Sequence, residues 1–360
     1  MNKLILLSFA ALSISVGAEE IAATNPSQMN SNGKMNNSNQ PPTPNVVTLT
    51  SAAPNSSNGW YIFADALYWH ADVGSADWAF RNSNTAAVPE NIQGPNHSLN
   101  FKWAWGFRVG LGANMDYDQW DTNVYYTWFH THNSNAVGTH EDQIAHDLIG
   151  LAGVVTQGKI NWRIHYSMLD WELGRWFYVS QHLSLRPHIG VKGGWISQTV
   201  KRRFTKPQFF YKAETENDFW GVGPCGGLNT TWMLGRVGTH HFSLFGDFAG
   251  ALMYGHFDVD NEEEFTTLAG VEVSEFKPHK LNRNLVAPML QALLGFSWDT
   301  SYNRDRSHFG LRIGYEFQFW FRQNQMLANE NFGPLHSVSY QRAHDDLALQ
   351  GLTIDFKFDF

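Results

Sequence analysis

The residues of this 360-residue chain that could carry chemistry are sixteen histidines, one cysteine, two glycine-rich stretches and a thin scatter of charges. His130 and His132 stand two apart, on one face of an extended strand, with His140 and His146 close behind. Two imidazoles from a strand and two from a loop could hold zinc, but no cysteine joins them and their spacing follows no metal-site pattern. His146-Asp147 and His344-Asp345-Asp346 set imidazole beside carboxylate. Adjacent strand residues point to opposite faces, so neither is a ready acid–base pair. Gly221-Val222-Gly223-Pro224-Cys225-Gly226 matches GxGxxG, with no helical pattern after it and no βαβ unit around it. Gly153 to Lys159 approaches a phosphate loop, but Ile160 stands where Ser or Thr would reach magnesium. No catalytic residue, metal ligand or cofactor is expected.

The charges therefore carry whatever function the chain has. Lys plus Arg is 25 and Asp plus Glu is 33, a net charge of −8 that excludes a general nucleic-acid binder. Charged residues make up 16%, against about 25% in an ordinary soluble domain. Aromatics reach 15%, and no apolar run is long enough for a membrane helix. Apolar side chains that neither form such a run nor leave room for many charges must alternate along strands.

The alternation is explicit in Phe101–Asn114. Phe101, Trp103, Trp105, Phe107, Val109 and Leu111 fall on one face, with Lys102, Gly106, Arg108, Gly110 and Gly112 on the other. The same period of two runs through Trp60–Trp69, Trp120–Trp128, Leu183–Trp195, Trp220–Trp232, Phe242–Tyr254, Val286–Trp298, Phe309–Arg322 and Leu352–Phe360. In Ile160–Leu173 the apolar set moves from even to odd positions after Ser167, as a β-bulge would make it do. These ten strands, several too long and too aromatic for a soluble sandwich, predict an all-β, transmembrane antiparallel β-barrel of about 10 strands, with 12–16 left open by the length.

Short joins near 115–119, 174–181, 234–240 and 299–307 alternate with long ones near 71–100, 131–158, 198–217, 256–283 and 323–346. That asymmetry predicts short periplasmic turns and long extracellular loops. Pro187, Pro224 and Pro288 fall inside predicted strands, where a missing N–H suggests local bulges. Parity then places Asp65, Lys102, Arg108, Asp121, Arg163, Arg186, Lys192, Asp247, Arg312, Glu316, Arg322, Asp355 and Lys357 on the inward, pore-lining face, together with Asp170 and Glu172. Opposed charges there would either set a field across a water-filled pore or close a narrow lumen with ion pairs.

The ends of the chain have their own signals. Residues 1–18 run from Met1-Asn2-Lys3 through an apolar stretch to Val16-Gly17-Ala18, the pattern of a cleavable secretory signal peptide. Residues 19–58 are rich in Asn, Ser and Pro with no apolar period, and are expected to be a disordered periplasmic segment before a barrel of 59–360. With Cys225 alone, no intramolecular disulfide can form.

Trp60–His70 (WYIFADALYWH), Trp103–Gly112 (WAWGFRVGLG), Trp120–His130 (WDTNVYYTWFH), Leu169–Arg175 (LDWELGR), Leu185–Gly190 (LRPHIG), Phe219–Asn229 (FWGVGPCGGLN) and Leu349–Phe360 resemble the pore-forming major outer-membrane proteins of Legionella and of environmental chlamydia relatives. The resemblance spans about residues 59–360 and rests on structural motifs, from which no catalytic residue carries over. It implies an outer-membrane barrel that passes small polar solutes or ions and presents surface loops. The cysteine-rich, cross-linked envelope role of similarly named pathogenic chlamydial proteins does not transfer to a chain with one cysteine. The terminal Phe360, after alternating aromatics, resembles the ending read by the barrel assembly machinery. The partners expected are thus outer-membrane lipid, that machinery and small polar solutes or ions, with self-association into a homo-oligomer left open. A closed structural or adhesin-type barrel is the alternative. A protease of the ten-stranded kind, with Asp and His at the outer rim, is the least favoured reading.

Overall fold

Residues that alternate between apolar and polar satisfy both faces of a sheet at once, and a sheet in lipid has to close on itself to leave no unpaired edge. The structure, a computed structural model, describes residues 59–360 apart from 75, 83–94, 116–117, 139–143, 147–156, 206–208, 268, 271, 277–280, 303–306, 330–339 and 360. The expected signal peptide (1–18), the Asn/Ser/Pro-rich segment (19–58) and Phe360 lie outside the described residues.

Ten long strands form the wall: β1 (Trp60–Val73), β2 (Ala104–Asn114), β3 (Trp120–Gly138), β4 (Gln157–Arg175), β5 (Leu183–Thr205), β6 (Phe209–Val237), β7 (His240–Thr267), β8 (Leu281–Tyr302), β9 (Ser307–Asn329) and β10 (Tyr340–Asp359). Each pairs antiparallel with the next, and β1 pairs with β10 from Tyr61↔Asp359 to Val73↔Leu347, which closes the barrel. Both ends of the wall and the short joins lie together at one end, here the turn end. The long connections lie at the other, the loop end, which in outer-membrane barrels faces outward.

A lipid-facing band is visible on the outer surface. Near the turn end it carries exposed Trp60, Trp232, Phe242 and Phe296; nearer the loop end it carries Trp105, Trp195, Trp220 and Tyr254. Along β6, Trp220 and Trp232 are twelve residues apart, which at about 3.3 Å per residue and a tilt near 40° spans roughly 30 Å. That is a bilayer's thickness. Yet β6 has 29 residues and β7 has 28, so both run far beyond the loop-side girdle.

Beyond that girdle the sheet inverts its polarity while keeping its parity. On β4, Leu169 and Trp171 are exposed outward and Asp170 and Glu172 are buried inward, but toward the loop end Ile160, Trp162, Ile164, Tyr166 and Met168 are the inward, buried residues. Arg163 and His165 face out. The β3–β4 and β4–β5 registers run through this point without a shift, so the expected bulge after Ser167 is absent. The pattern changed because the solvent changed: lipid outside the lower wall, water outside the upper.

Other expectations meet the same correction. The long connection expected at 198–217 is mostly wall, since Gln198↔Asn217 is itself a register pair and the strands continue to Thr205 and Phe209. These extensions, rather than extra strands, account for its length. Pro187, Pro224 and Pro288 sit in unshifted registers instead of bulges. The β6–β7 pairing skips Gly223 and Pro224 but resumes with the same register at Cys225↔Ala251. A missing N–H has interrupted the ladder without displacing it. Register shifts occur instead between Met233 and Gly235 and between Trp320 and Asn324.

Parity below the girdle makes a direct prediction. Phe107 on β2 is exposed outward and its neighbour Arg108 is buried inward. Val109, on the same outward face and four residues from both Trp105 and the Trp60 partner Ala113, lies near the bilayer midplane. Val109→Arg should cost about 2–4 kcal/mol, read as a lowered urea midpoint for the barrel folded in vesicles. An unchanged midpoint would show that this face does not meet lipid.

Candidate functional site

The interior divides into a charged lower chamber and an upper plug, where an aromatic cluster is interleaved with buried polar side chains such as Gln198, Asn217, Gln323 and Asn324. The chamber, about 360 Å³, opens among Tyr61, Asp65, Asp121, Glu172, Arg186 and Arg312. Its charges are paired across neighbouring strands by register. Arg108↔Asp65, Asp65↔Asp355 and Arg312↔Asp355 set a row of Arg, Asp, Asp and Arg across four adjacent strands, β2–β1–β10–β9, with the two carboxylates side by side between the guanidiniums.

Arg108 is the centre of the buried part. It donates from Nη1 to Asp65 Oδ2 at 2.8 Å, from Nη2 to Glu316 Oε1 at 2.7 Å and from Nε to Thr127 Oγ1 at 3.0 Å. Glu316 has no solvent exposure, and it accepts further bonds from Gln291 and Gln318 at 2.9 Å and from Thr353 at 2.8 Å. A second centre is Arg186, whose Nε donates to both oxygens of Asp121 at 2.9 Å while Nη1 reaches Glu172 at 3.1 Å and Asn229 at 2.8 Å. Lys192 pairs with Asp170 at 2.5 Å. Arg312 pairs with Asp247 and, at 3.5 Å, with Asp355, and its guanidinium lies 3.9 Å over the ring of Phe245. The ammonium of Lys357 lies 4.1 Å over Tyr61.

The sequence-expected residues therefore divide. Asp65, Arg108, Asp121, Arg186, Lys192, Asp247, Arg312, Glu316, Asp355 and Lys357 are inside the wall. Lys102, Arg163 and Arg322 are not. Lys102 precedes β2 and is exposed, because the strand begins at Ala104 rather than Phe101. Arg163 lies above the polarity inversion, on the outward face. Arg322 adopts φ 56° within the β9–β10 irregularity, which turns its exposed side chain toward His344 at 3.3 Å.

The upper plug is what parity alone did not anticipate. Leu67, Trp69, Phe129, Trp162, Ile164, Tyr166, Ile196, Val200, Phe204, Phe219, Phe257 and Trp320 belong to one continuous buried cluster. Trp320 of β9 meets Tyr166 of β4 at 5.9 Å and Phe219 of β6 at 6.5 Å between ring centroids, contacts that cross the lumen. Tyr166 also donates to Gln318 Oε1 at 2.8 Å, tying β4 to β9. Trp78, Ala79, Leu99 and Phe101, from the β1–β2 connection, complete the cluster from the loop end. A usable signal was present: apolar residues at even positions of Ile160–Tyr166, read as lipid-facing, were inward.

Among the described residues, the histidines do not assemble into a site. His130 and His165 are register partners with rings 4.2 Å apart, and both lie on the outside of the wall. His140 and Asp147 lie outside the described residues, as does the side chain of His146. Among the described residues, no three His, Cys, Asp or Glu side chains are grouped to hold a metal ion. His344 is exposed beside Arg322, away from the chamber.

The chamber is lined by charged and polar side chains, Asp65, Asp121, Arg186 and Arg312 among them, and so suits water or small polar solutes.

Comparison with known proteins places these features. A family model described as the Legionella pneumophila major outer membrane protein precursor matches residues 52–360. No curated protein matches the chain. Among solved structures, the outer membrane protease OmpT from Escherichia coli aligns at 8% identity and TM-score 0.38, covering 85% of this chain and 99% of that one. A Pseudomonas aeruginosa FadL homologue aligns at 9% identity and TM-score 0.25, covering 84% and 90%. The Ralstonia pickettii toluene transporter TbuX aligns at 8% identity and TM-score 0.28, with the same coverage. At such identities and scores, none of these proteins' activities transfers.

Proposed function

The chain belongs to the Legionella major outer membrane protein family, and from that premise we propose an envelope-structural barrel of the outer membrane that is shut in its resting state. Its charged chamber takes up small polar solutes and ions from the periplasmic side, and its plug seals the outer half. The observation that carries this reading is the cross-lumen contact of Trp320 with Tyr166 and Phe219. A lumen crossed by packed aromatic rings opens only if those rings rearrange.

Porin-like passive diffusion of small polar solutes or ions is the second reading, and one observation favours it. Part of the plug (Trp78, Leu99 and Phe101) comes from the β1–β2 connection, outside the ten wall strands. A connection can move without unfolding the wall. Diffusion then belongs to a displaced-plug state, and the paired charges of the chamber would select polar solutes by their field.

Thiol accessibility separates chamber from plug. In a Cys225→Ser background, Thr231→Cys faces the chamber and Val200→Cys lies in the buried cluster. A membrane-impermeant maleimide added to the periplasmic side should label Thr231→Cys within minutes and leave Val200→Cys unlabelled from either side. Rapid labelling of Val200→Cys would overturn the closed resting state.

A further inference from the structure

On the outside of the wall, beyond the loop-side aromatic girdle, charge is sorted by strand. The outward residues of β3, β4 and β5 include His130, His165, Lys159, Arg163, Lys201 and Arg203. The outward residues of the next two strands, β6 and β7, are mostly carboxylates, among them Glu214, Glu216 and Glu262.

The basic side is arranged at a cost to the fold. Register sets Lys159 directly opposite Arg203, and Arg203 directly opposite Lys212, three cations in one row across β4–β5–β6. Like charges facing each other across strands are destabilising. Two of the patch's lysines are compensated, Lys201 by Glu214 at 2.5 Å and Lys212 by Glu264 at 2.9 Å. Lys159, Arg163 and Arg203 are exposed, and no salt bridge joins any of them to another described residue. Burial, the neighbouring imidazoles of His165 and His132, and Arg163 hold His130 below the ordinary histidine range.

The height of the patch decides what such a row of cations would meet. Arg163 pairs with Thr199, four residues beyond the girdle residue Trp195, which at the strand's tilt is a rise of about 10 Å along the membrane normal. Arg203 is four residues further on. This is the layer where lipid headgroups end and their saccharides begin, outside the hydrocarbon core.

We propose that the outward face of β3–β5, from His165 up to Arg203, docks the phosphorylated saccharide headgroup of an outer-leaflet glycolipid. Arg163 and Arg203 supply planar, multiply donating contacts to phosphate oxygens. Asn161, between the Lys159 and Arg163 levels, offers neutral donors to sugar hydroxyls. The bound anion would relieve the Lys159–Arg203–Lys212 repulsion, and the acidic β6–β7 face beside it would confine the lipid to one side of the barrel.

The test uses the full-length barrel refolded into phosphatidylcholine nanodiscs that contain either deep-rough lipopolysaccharide or the same lipid stripped of phosphate by phosphatase. Retention on the purified barrel is read by native mass spectrometry. Each cation near an anionic surface accounts for about fivefold in affinity, so Arg163→Gln/Arg203→Gln should retain the phosphorylated lipid roughly 30-fold less strongly. Arg236→Gln, at the turn end, should retain it as wild type does. Heat-modifiable gel migration reports folding; if the double variant does not fold, Arg163→Gln alone should show about a fivefold loss. Equal retention of phosphorylated and dephosphorylated lipid, or unchanged retention by the variant, overturns the proposal. A variant that loses self-association while still holding lipid also overturns it, and assigns the patch to a second copy of the chain.

Discussion

Glu316→Ala is expected to destabilise the barrel by about 3–5 kcal/mol, the range for removing one partner from a buried ion pair. Glu316 is fully buried and is the shared acceptor for Arg108, Gln291, Gln318 and Thr353. With it gone, Arg108 keeps Asp65 at 2.8 Å and Thr127 at 3.0 Å, but its Nη2 loses its acceptor in a site that is 8% exposed. Three neutral donors lose their acceptor at the same time, each a buried group whose desolvation is then uncompensated. Glu316→Gln retains an acceptor of the same shape and should cost less. Arg108→Gln/Glu316→Gln should cost more than Glu316→Gln, because it also takes the guanidinium at 2.8 Å from Asp65 and leaves that buried carboxylate beside Asp355 without its counter-charge. Urea titrations of the variants folded in vesicles, with heat-modifiable migration as the measure of folded barrel, give the ranking. If Glu316→Ala is as stable as wild type, the network around Arg108 is not what holds this part of the interior together.

Much of this was legible in the sequence, and the reason is physical. In the lower wall one face meets lipid and the other meets the chamber, so parity decides each side chain's environment, and Asp65, Arg108, Arg312 and Asp355 could be placed inward from spacing alone. The Asp65–Arg108 and Arg312–Asp355 pairs were open to prediction once register was known, but not their closure onto Glu316, which crosses from β2 to β9 through the interior. Parity misled where its premise lapsed. It assumes that the apolar face is the outer one, and above the girdle residues Trp195 and Trp220 the outer face is wet. Ile160, Trp162, Ile164 and Tyr166 kept their even positions and changed meaning, which made Arg163 look interior and Ser167 look like a bulge. Arg322 failed for another reason: a single left-handed residue at φ 56° is invisible in a sequence where no glycine marks it. The length of β6 could have given warning, since 29 residues are far more than the roughly 9–11 that cross a bilayer.

That inverted upper wall leads to the largest expected change in behaviour. Wild-type protein in a planar bilayer is expected to show no steady conductance, since the aromatic cluster fills the lumen from Phe129 and Trp69 up to Phe204. Trp320→Ala and Tyr166→Ala together remove both sides of the cross-lumen contact and the hydrogen bond from Tyr166 to Gln318. Each large-to-small change in such a core costs about 3–5 kcal/mol when the surroundings cannot collapse into the space. Here they are poorly placed to collapse, because the side chains stand on strands fixed in register around a closed wall. The space created lies directly above the chamber, next to Glu316 and Gln318, so polar groups are at hand to hydrate it, whereas a purely apolar cavity would stay dry. The double variant should therefore give discrete conductance steps where wild type gives none. Trp78→Ala, which thins the plug only from the β1–β2 connection, should conduct little or not at all if the wall aromatics are the seal. Steady conductance through wild-type protein that still leaves Val200→Cys unlabelled would mean that ions bypass the cluster, and the assignment of the seal to Trp320 and Tyr166 would fail.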